Sequence, residues 1–174
     1  MNENGMLAID PLAPQEMAHK AEDIGAKKAN LDFKTMFALA VLAGAFIGLG
    51  GIITTIVGTE GAKLPYGVNR LLQGFVFSLG LILVVVAGAE LFTGNTLIIM
   101  GFMSKKVTLQ KLLRNWVIVY FGNFTGALLT VLFMFLTKQF TFASGAVGLT
   151  ILNAGEAKTS LDFVQAIFLE RFYE

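Results

Sequence analysis

Charged positions along the chain are clustered, and uncharged stretches of membrane-spanning length lie between the clusters. Thr35 to Thr59 is a run of 25 residues without a charge. That is about 37 Å of helix, enough to cross a ~30 Å hydrocarbon core with some tilt. Within it Ala40, Gly44 and Gly48 recur every fourth residue and leave one face free of bulky side chains. In lipid such a face lets a second helix approach closely. Leu71 to Ala89 adds 19 uncharged residues, Glu90 interrupts, and Leu91 to Ser104 adds 14 more. Asn115 to Thr137 is a third long run of 23, carrying Gly122 and Gly126 in GxxxG spacing.

The middle stretch is the informative one. As one straight helix its 34 residues would extend about 51 Å, too long for a single crossing; as two crossings, the second is cramped at about 21 Å. Charge decides between them. Lys105, Lys106, Lys111 and Arg114 follow it with no acid among them, whereas Lys63 and Arg70 face Glu60 between the first two spans. The positive-inside rule places the N-terminus and Lys105–Arg114 in the cytoplasm and Gly58–Asn69 outside. Only one broken crossing satisfies both assignments. The break is expected near Glu90–Asn95, where Gly94-Asn95 is a turn signal and Glu90 faces lipid poorly. Irregular backbone at membrane depth must pack in protein or line a wet cavity. Half-helix ends and the polar groups of Thr93, Asn95 and Thr96 are then expected beside an ion or substrate. The alternative is a short helix ended by Glu90 and Gly94-Asn95, with Leu91–Ser104 lying flat on the membrane face.

Residues 1–34 hold six acids and four lysines. Met17, Ala21, Ile24 and Leu31 share one helical face, which predicts a short amphipathic helix at the membrane surface or, alternatively, a solvated one. Gln139–Lys158, rich in Gly, Ser, Thr and Asn, reads as an ordered extracellular loop. Phe163–Leu169 then begins a fourth apolar segment of seven residues, about 10 Å of helix. The expected organisation is a cytoplasmic amphipathic segment, 1–34, and a membrane domain, 35–169. Its spans fall at about 35–59, 71–104 (broken near 90–95) and 115–137, with the start of a fourth at 161–169 and an atypical tail at 170–174.

Composition agrees with a membrane protein: 55% of residues are hydrophobic and only 14% charged, with a mean hydropathy of +0.71. This excludes a soluble enzyme and a disordered chain. Thirteen Lys and Arg against twelve Asp and Glu leave no basic excess for nucleic acid. With no cysteine and one histidine, His19, thiolate metal sites, Fe–S clusters and a bis-histidine haem anchor for a redox enzyme are not expected, nor is any other metal or cofactor.

The ten residues Val85-Val-Ala-Gly-Ala-Glu-Leu-Phe-Thr-Gly94 resemble the first signature of the formate/nitrite transporter family. The match extends to Phe77-Ser-Leu-Gly-Leu81, to Asn115-Trp-(x)3-Tyr-Phe-Gly-Asn123 and to Lys158. It covers roughly Leu12 to Leu169. The resemblance implies an all-α, aquaporin-like membrane fold of six helices arranged as two inverted three-helix repeats. It also implies a homopentamer with one pore per subunit. This sequence would supply the first inverted repeat only: three spans, the second broken, plus the start of a fourth. The family's second signature, Gly-x-x-Cys/Ala-Asn, would begin where the chain reads Glu170-Arg-Phe-Tyr-Glu174. The chain is therefore expected to be truncated after the start of the fourth helix, by an altered frame or an early stop, without the family's pore histidine. His19, in the N-terminal segment, cannot replace it.

The resemblance also implies roles. Thr93 offers a hydroxyl to the permeating anion, the structural alternative being an N-cap for the half-helix that follows. Lys158 raises the local anion concentration at the outer vestibule. Leu91, Phe77 and Leu81 form a hydrophobic constriction. At the break, Gly94 and Asn95 are structural, and Glu90 accepts backbone amides of the broken loop. The implied function is a passive or proton-linked channel, not an enzyme, for small monovalent anions and formate above all. The anion gains proton affinity as it loses water and passes the apolar ring as a neutral acid. The alternatives are a non-conducting fragment of such a channel and a nitrite or hydrosulfide transporter of the same family. The expected partners are formate or a similar anion and the lipid bilayer, in the bacterial inner membrane with a cytoplasmic N-terminus.

Overall fold

The structure is a computed structural model that describes residues 12–59 and 61–166. Helix α1, Pro14–Ala29, starts with proline at its first position, and the Glu16 carboxylate accepts the Ala13 N–H (3.0 Å). Lys27 and Lys28 occupy its last turn, where the helix dipole favours cations. Asp32 then caps α2, Phe33–Gly58, accepting the N–H groups of Lys34 (3.0 Å) and Thr35 (3.1 Å). Next come α3, Tyr66–Val86; two short pieces, α4, Phe92–Asn95, and α5, Ile98–Met103; α6, Leu109–Leu136, capped by the Thr108 hydroxyl; and α7, Ala146–Thr159. Of these, α2, α3 and α6 are long and apolar enough to cross a membrane.

Packing fixes how they run. Pairings between α2 and α6 climb together: Ala40 meets Gly122, Gly44 meets Asn123 and Gly48 meets Thr130. These two helices are therefore parallel. Between α2 and α3 the pairings oppose, with Gly58 against Gln73, Gly50 against Gly80 and Ala43 in one cluster with Val84. Helices α2 and α6 can run the same way only if the chain between them makes one net crossing, and along that crossing the helix is interrupted between Val86 and Phe92. The interruption begins earlier than Glu90: helix α3 stops at Val86, and Gly88 takes a left-handed φ of +62° that few side chains tolerate.

The small-residue faces read from the sequence are the seam of this bundle. A Cβ on Gly44 would overlap the Asn123 backbone, and one on Gly126 would overlap the Val41 carbonyl. The GxxxG glycines of α6 are thus occupied by α2. Their fit is the close backbone approach that small residues permit where no hydrophobic driving force separates lipid from protein.

Helix α1 packs across α5 at the start of α2. Its Gly25 faces the Ile98 backbone, and Ala29 joins Ile98, Val107 and Leu112 in a small core flanked by Ala26, Phe102 and Trp116. Lys106 pins it from the loop before α6, reaching Asp23 (2.7 Å) and Glu22 (3.1 Å). These hydrogen bonds to Lys106 hold both carboxyls below their usual range, and the bonds to Asp23 and then Glu22 push the Lys106 ammonium up. Depressed carboxyls add stability that is present above their ordinary values and lost as pH falls through the lowered ones. A raised lysine adds stability that is lost as pH climbs through the raised value. The docking of α1 is therefore expected to loosen as the solution is acidified below the ordinary carboxyl range, about pH 4. Trp116, the only tryptophan, reports it: its emission should shift in acid, with a smaller shift in Lys106→Gln. An identical acid transition in that variant would place its origin elsewhere.

The segment expected to be an ordered loop is largely helical. After two 3-10 turns, Gln139–Thr141 and Ala143–Gly145, helix α7 takes up most of it. Its threonines close their hydroxyls onto carbonyls one turn back, Thr150 onto Ala146 and Thr159 onto Gly155, so the polar residues that read as loop are compatible with helix. Residues 163–166 are helical, with Asp162 accepting the Gln165 N–H (2.8 Å). The remainder of the expected fourth span and the tail at 170–174 lie outside the described residues.

Candidate functional site

The interruption between α3 and α4 lies beside Leu39–Ala43, well inside the length of α2. Backbone there cannot use helical partners, so each of its polar groups needs another. Glu90 N–H donates to the Leu39 carbonyl (3.2 Å). The Asn123 side chain of α6 serves the next groups. Its Oδ1 accepts the Phe92 N–H (2.8 Å), and its Nδ2 donates to the carbonyls of Glu90 (2.9 Å) and Ala40 (2.8 Å). Phe92 sets its ring edge-on against Tyr120 and Trp116, one turn apart on α6. Trp116 Nε1 donates to the Asn95 carbonyl (3.0 Å), closing the far end of the segment.

A second, charged network lies beneath it. Glu90 is 3% exposed and Asn95 and Asn115 are fully buried. Lys28 of α1 donates to Glu90 Oε1 (2.9 Å) and to Asn95 Oδ1 (3.0 Å). Asn95 Nδ2 donates to Glu90 Oε2 (2.7 Å) and Asn115 Oδ1 (2.9 Å), and Asn115 Nδ2 donates back to the Lys28 carbonyl (3.3 Å). A buried carboxylate is tolerated when paired and hydrogen-bonded on both oxygens, as here. The expectation that Glu90 accepts backbone amides is corrected: its oxygens face a lysine and a side-chain amide. The Glu90 backbone, rather than its carboxylate, serves the main-chain contacts.

The other residues singled out in the sequence are placed as follows. Thr93 lies inside α4, exposed, and its hydroxyl makes no hydrogen bond among the described residues. It is not the N-cap of that turn, a position held by Leu91 in extended conformation. Leu91 itself is half-buried against the Ala43, Val84 and Ala89 cluster. Gly94 is exposed within α4, with open space around it. Phe77 and Leu81 are one turn apart on α3 and exposed. Lys158 is exposed on the last turn of α7, near the opposite end of the bundle from α1. One turn before it, Ala154 borders a cleft of about 320 Å³ shared with Thr54, Tyr66, Asn69, Arg70 and Gln73. The break thus gathers Glu90, Leu91, Thr93, Gly94 and Asn95, while Lys158 stands apart from it.

Sequence reasoning missed Lys28, Asn115, Trp116 and Asn123 as builders of this site. A signal existed for the two asparagines. They are eight residues apart in the uncharged run Asn115–Thr137, about two turns on one face, where polar side chains need buried partners.

A family profile described as Formate/nitrite transporter matches residues 15–169. The chain is 41% identical over 161 residues to "Formate channel FocA" of Escherichia coli (strain K12), an alignment that takes in 92% of this chain and 56% of that protein. It is 32% identical to the "Probable formate transporter" of Methanothermobacter thermautotrophicus, over 90% of this chain and 63% of the relative. Among solved structures, a "Pentameric formate channel with formate bound" superposes with a TM-score of 0.68 at 37% identity, over 88% of this chain and 54% of its own. Another, an "FNT family ion channel", gives 0.65 at 26% identity, over 71% and 50%. The chain spans little more than half the length of most of these relatives.

Proposed function

From the premise that this chain belongs to the formate/nitrite transporter family, we propose that it forms part of the conduction path of a channel for small monovalent anions, formate first among them. The single observation that carries this reading is the interrupted crossing held between α2 and α6. It leaves the Thr93 hydroxyl exposed and without a partner among the described residues, next to the half-buried apolar Leu91. A neutral hydroxyl can solvate a carboxylate without trapping it, and apolar neighbours bar a hydrated ion.

In this reading an anion collects near Lys158, loses water beside the apolar Phe77 and Leu81 on α3, and meets Leu91 and Thr93 at the break. It crosses this apolar stretch as the protonated acid, because desolvation raises its affinity for a proton taken from the solution it leaves. Flow is passive or proton-linked. Likeness to a pentameric channel solved with formate bound supports a homopentamer and formate as ligand. The inner membrane and a cytoplasmic α1 are supported by the basic residues Lys105, Lys106, Lys111 and Arg114 gathered at the α1 end.

Uptake of radiolabelled formate by proteoliposomes tests the assignment. Thr93→Val should lower uptake about tenfold, in line with about 1–2 kcal/mol for a hydrogen bond lost in a dry site. Lys158→Ala should weaken uptake mainly at low formate concentration, since a distant charge acts by local concentration. Unchanged uptake by Lys158→Ala from pH 5 to 7 would remove that role.

A further inference from the structure

We infer that Asn123 is a positioning residue that sets the aperture at the break, and through it which carboxylates pass by size. This rests on the pore reading above. The peptide groups on either side of Leu91 are both held by this one side chain, through the Glu90 carbonyl and the Phe92 N–H. Its remaining N–H goes to the Ala40 carbonyl of α2, so the carbonyl and both N–H bonds of the amide are engaged.

The platform beneath is rigid. Asn123 sits on the seam where Gly44 admits no Cβ, so its backbone cannot shift without parting α2 from α6. Leu91, extended at φ −98° and ψ 132°, heads a four-residue helix that lacks a side-chain cap. The position of Leu91, and of Thr93 two residues on, therefore follows the Asn123 amide more closely than any intrinsic preference of the segment. A side chain without the amide would free the segment and leave the helix seam in place.

The test uses Asn123→Ala and Asn123→Gln in the purified protein. The readouts are uptake of formate, acetate and propionate by proteoliposomes, and amide hydrogen exchange at Phe92. In Asn123→Ala the preference for formate over propionate should fall about tenfold, the scale set by one or two methylene groups. Exchange at Phe92 should accelerate at least tenfold while Ala43 and Val119 stay protected. Asn123→Gln keeps every donor and acceptor one methylene further out, so it should change the preference with Phe92 still protected. This second variant decides the matter if the alanine variant does not fold. Uptake that falls equally for all three acids, or unchanged exchange at Phe92 in Asn123→Ala, would overturn the proposal. A wild-type protein that carries none of the acids overturns the pore reading instead. The exchange result tells these failures apart, because it needs no transport.

Discussion

Replacing Lys28 by methionine should cost about 3–5 kcal/mol of stability, the usual loss when one partner of a buried ion pair is removed. On a chain of this size that is a fall in melting temperature of roughly 10 °C. The reason lies with the partners left behind. Glu90 is 3% exposed and its Oε1 would face no donor, while Asn95, fully buried, would lose a bond to its Oδ1. The remedy follows from the same geometry. In Lys28→Met with Glu90→Gln, an uncharged amide occupies the carboxylate's place, and most of the lost stability should return. Thermal unfolding of detergent-solubilised single and double variants checks this. If the double variant is as unstable as the sum of Lys28→Met and Glu90→Gln, the pair is not coupled and the network is misassigned.

Gly126→Leu should leave no folded protein to measure. A Cβ there would meet the Val41 carbonyl oxygen and the Ala45 nitrogen, both backbone atoms that cannot rotate away. The helices must part, and Asn123, one turn earlier, would leave reach of Ala40 and the break. Overpacking alone costs about 1–3 kcal/mol, and the stranded backbone groups add several more in a region without water. Gly51 and Gly74, also mid-helix, have nothing within 4 Å of a built Cβ. Alanine at either should be neutral or stabilise by up to about 1 kcal/mol. Yield of monodisperse protein in detergent separates the cases. Gly126→Leu with the yield and melting temperature of Gly51→Ala would mean that the seam is looser than described.

The crossings were legible because charge is too costly in a bilayer to be placed casually, so uncharged length and flanking lysines speak directly. The broken second crossing followed from the same accounting, with Gly94-Asn95 and Glu90 marking its neighbourhood. Helix α3 ends sooner, at Val86, because the turn uses Gly88, a glycine indistinguishable in the sequence from those that merely pack. What holds the break was harder to read. Lys28 and Glu90 are 62 residues apart and Asn123 is 31 from Phe92, and local periodicity carries no information about such pairings. Asn115 and Asn123 stood in the sequence only as part of a stretch resembling the family, and their partners became plain once α2 and α6 were seen to run parallel. Helix α7 was missed because threonine, serine and glycine content signals loop unless the hydroxyls turn back onto the helix itself.

The dependence of the break on α6 bears on how the chain enters the membrane. Synthesis runs from the N-terminus, so Glu90 and the bare peptides around Leu91 emerge more than twenty residues before Asn115 and more than thirty before Asn123. In that interval Lys28 can already meet Glu90, but the Phe92 N–H and the Glu90 carbonyl have no partner that lipid could supply. The second crossing therefore cannot be released into the bilayer as a finished span when its last residue leaves the ribosome. It has to wait in a wetter or proteinaceous setting until the third crossing arrives, and the two enter the membrane as one unit.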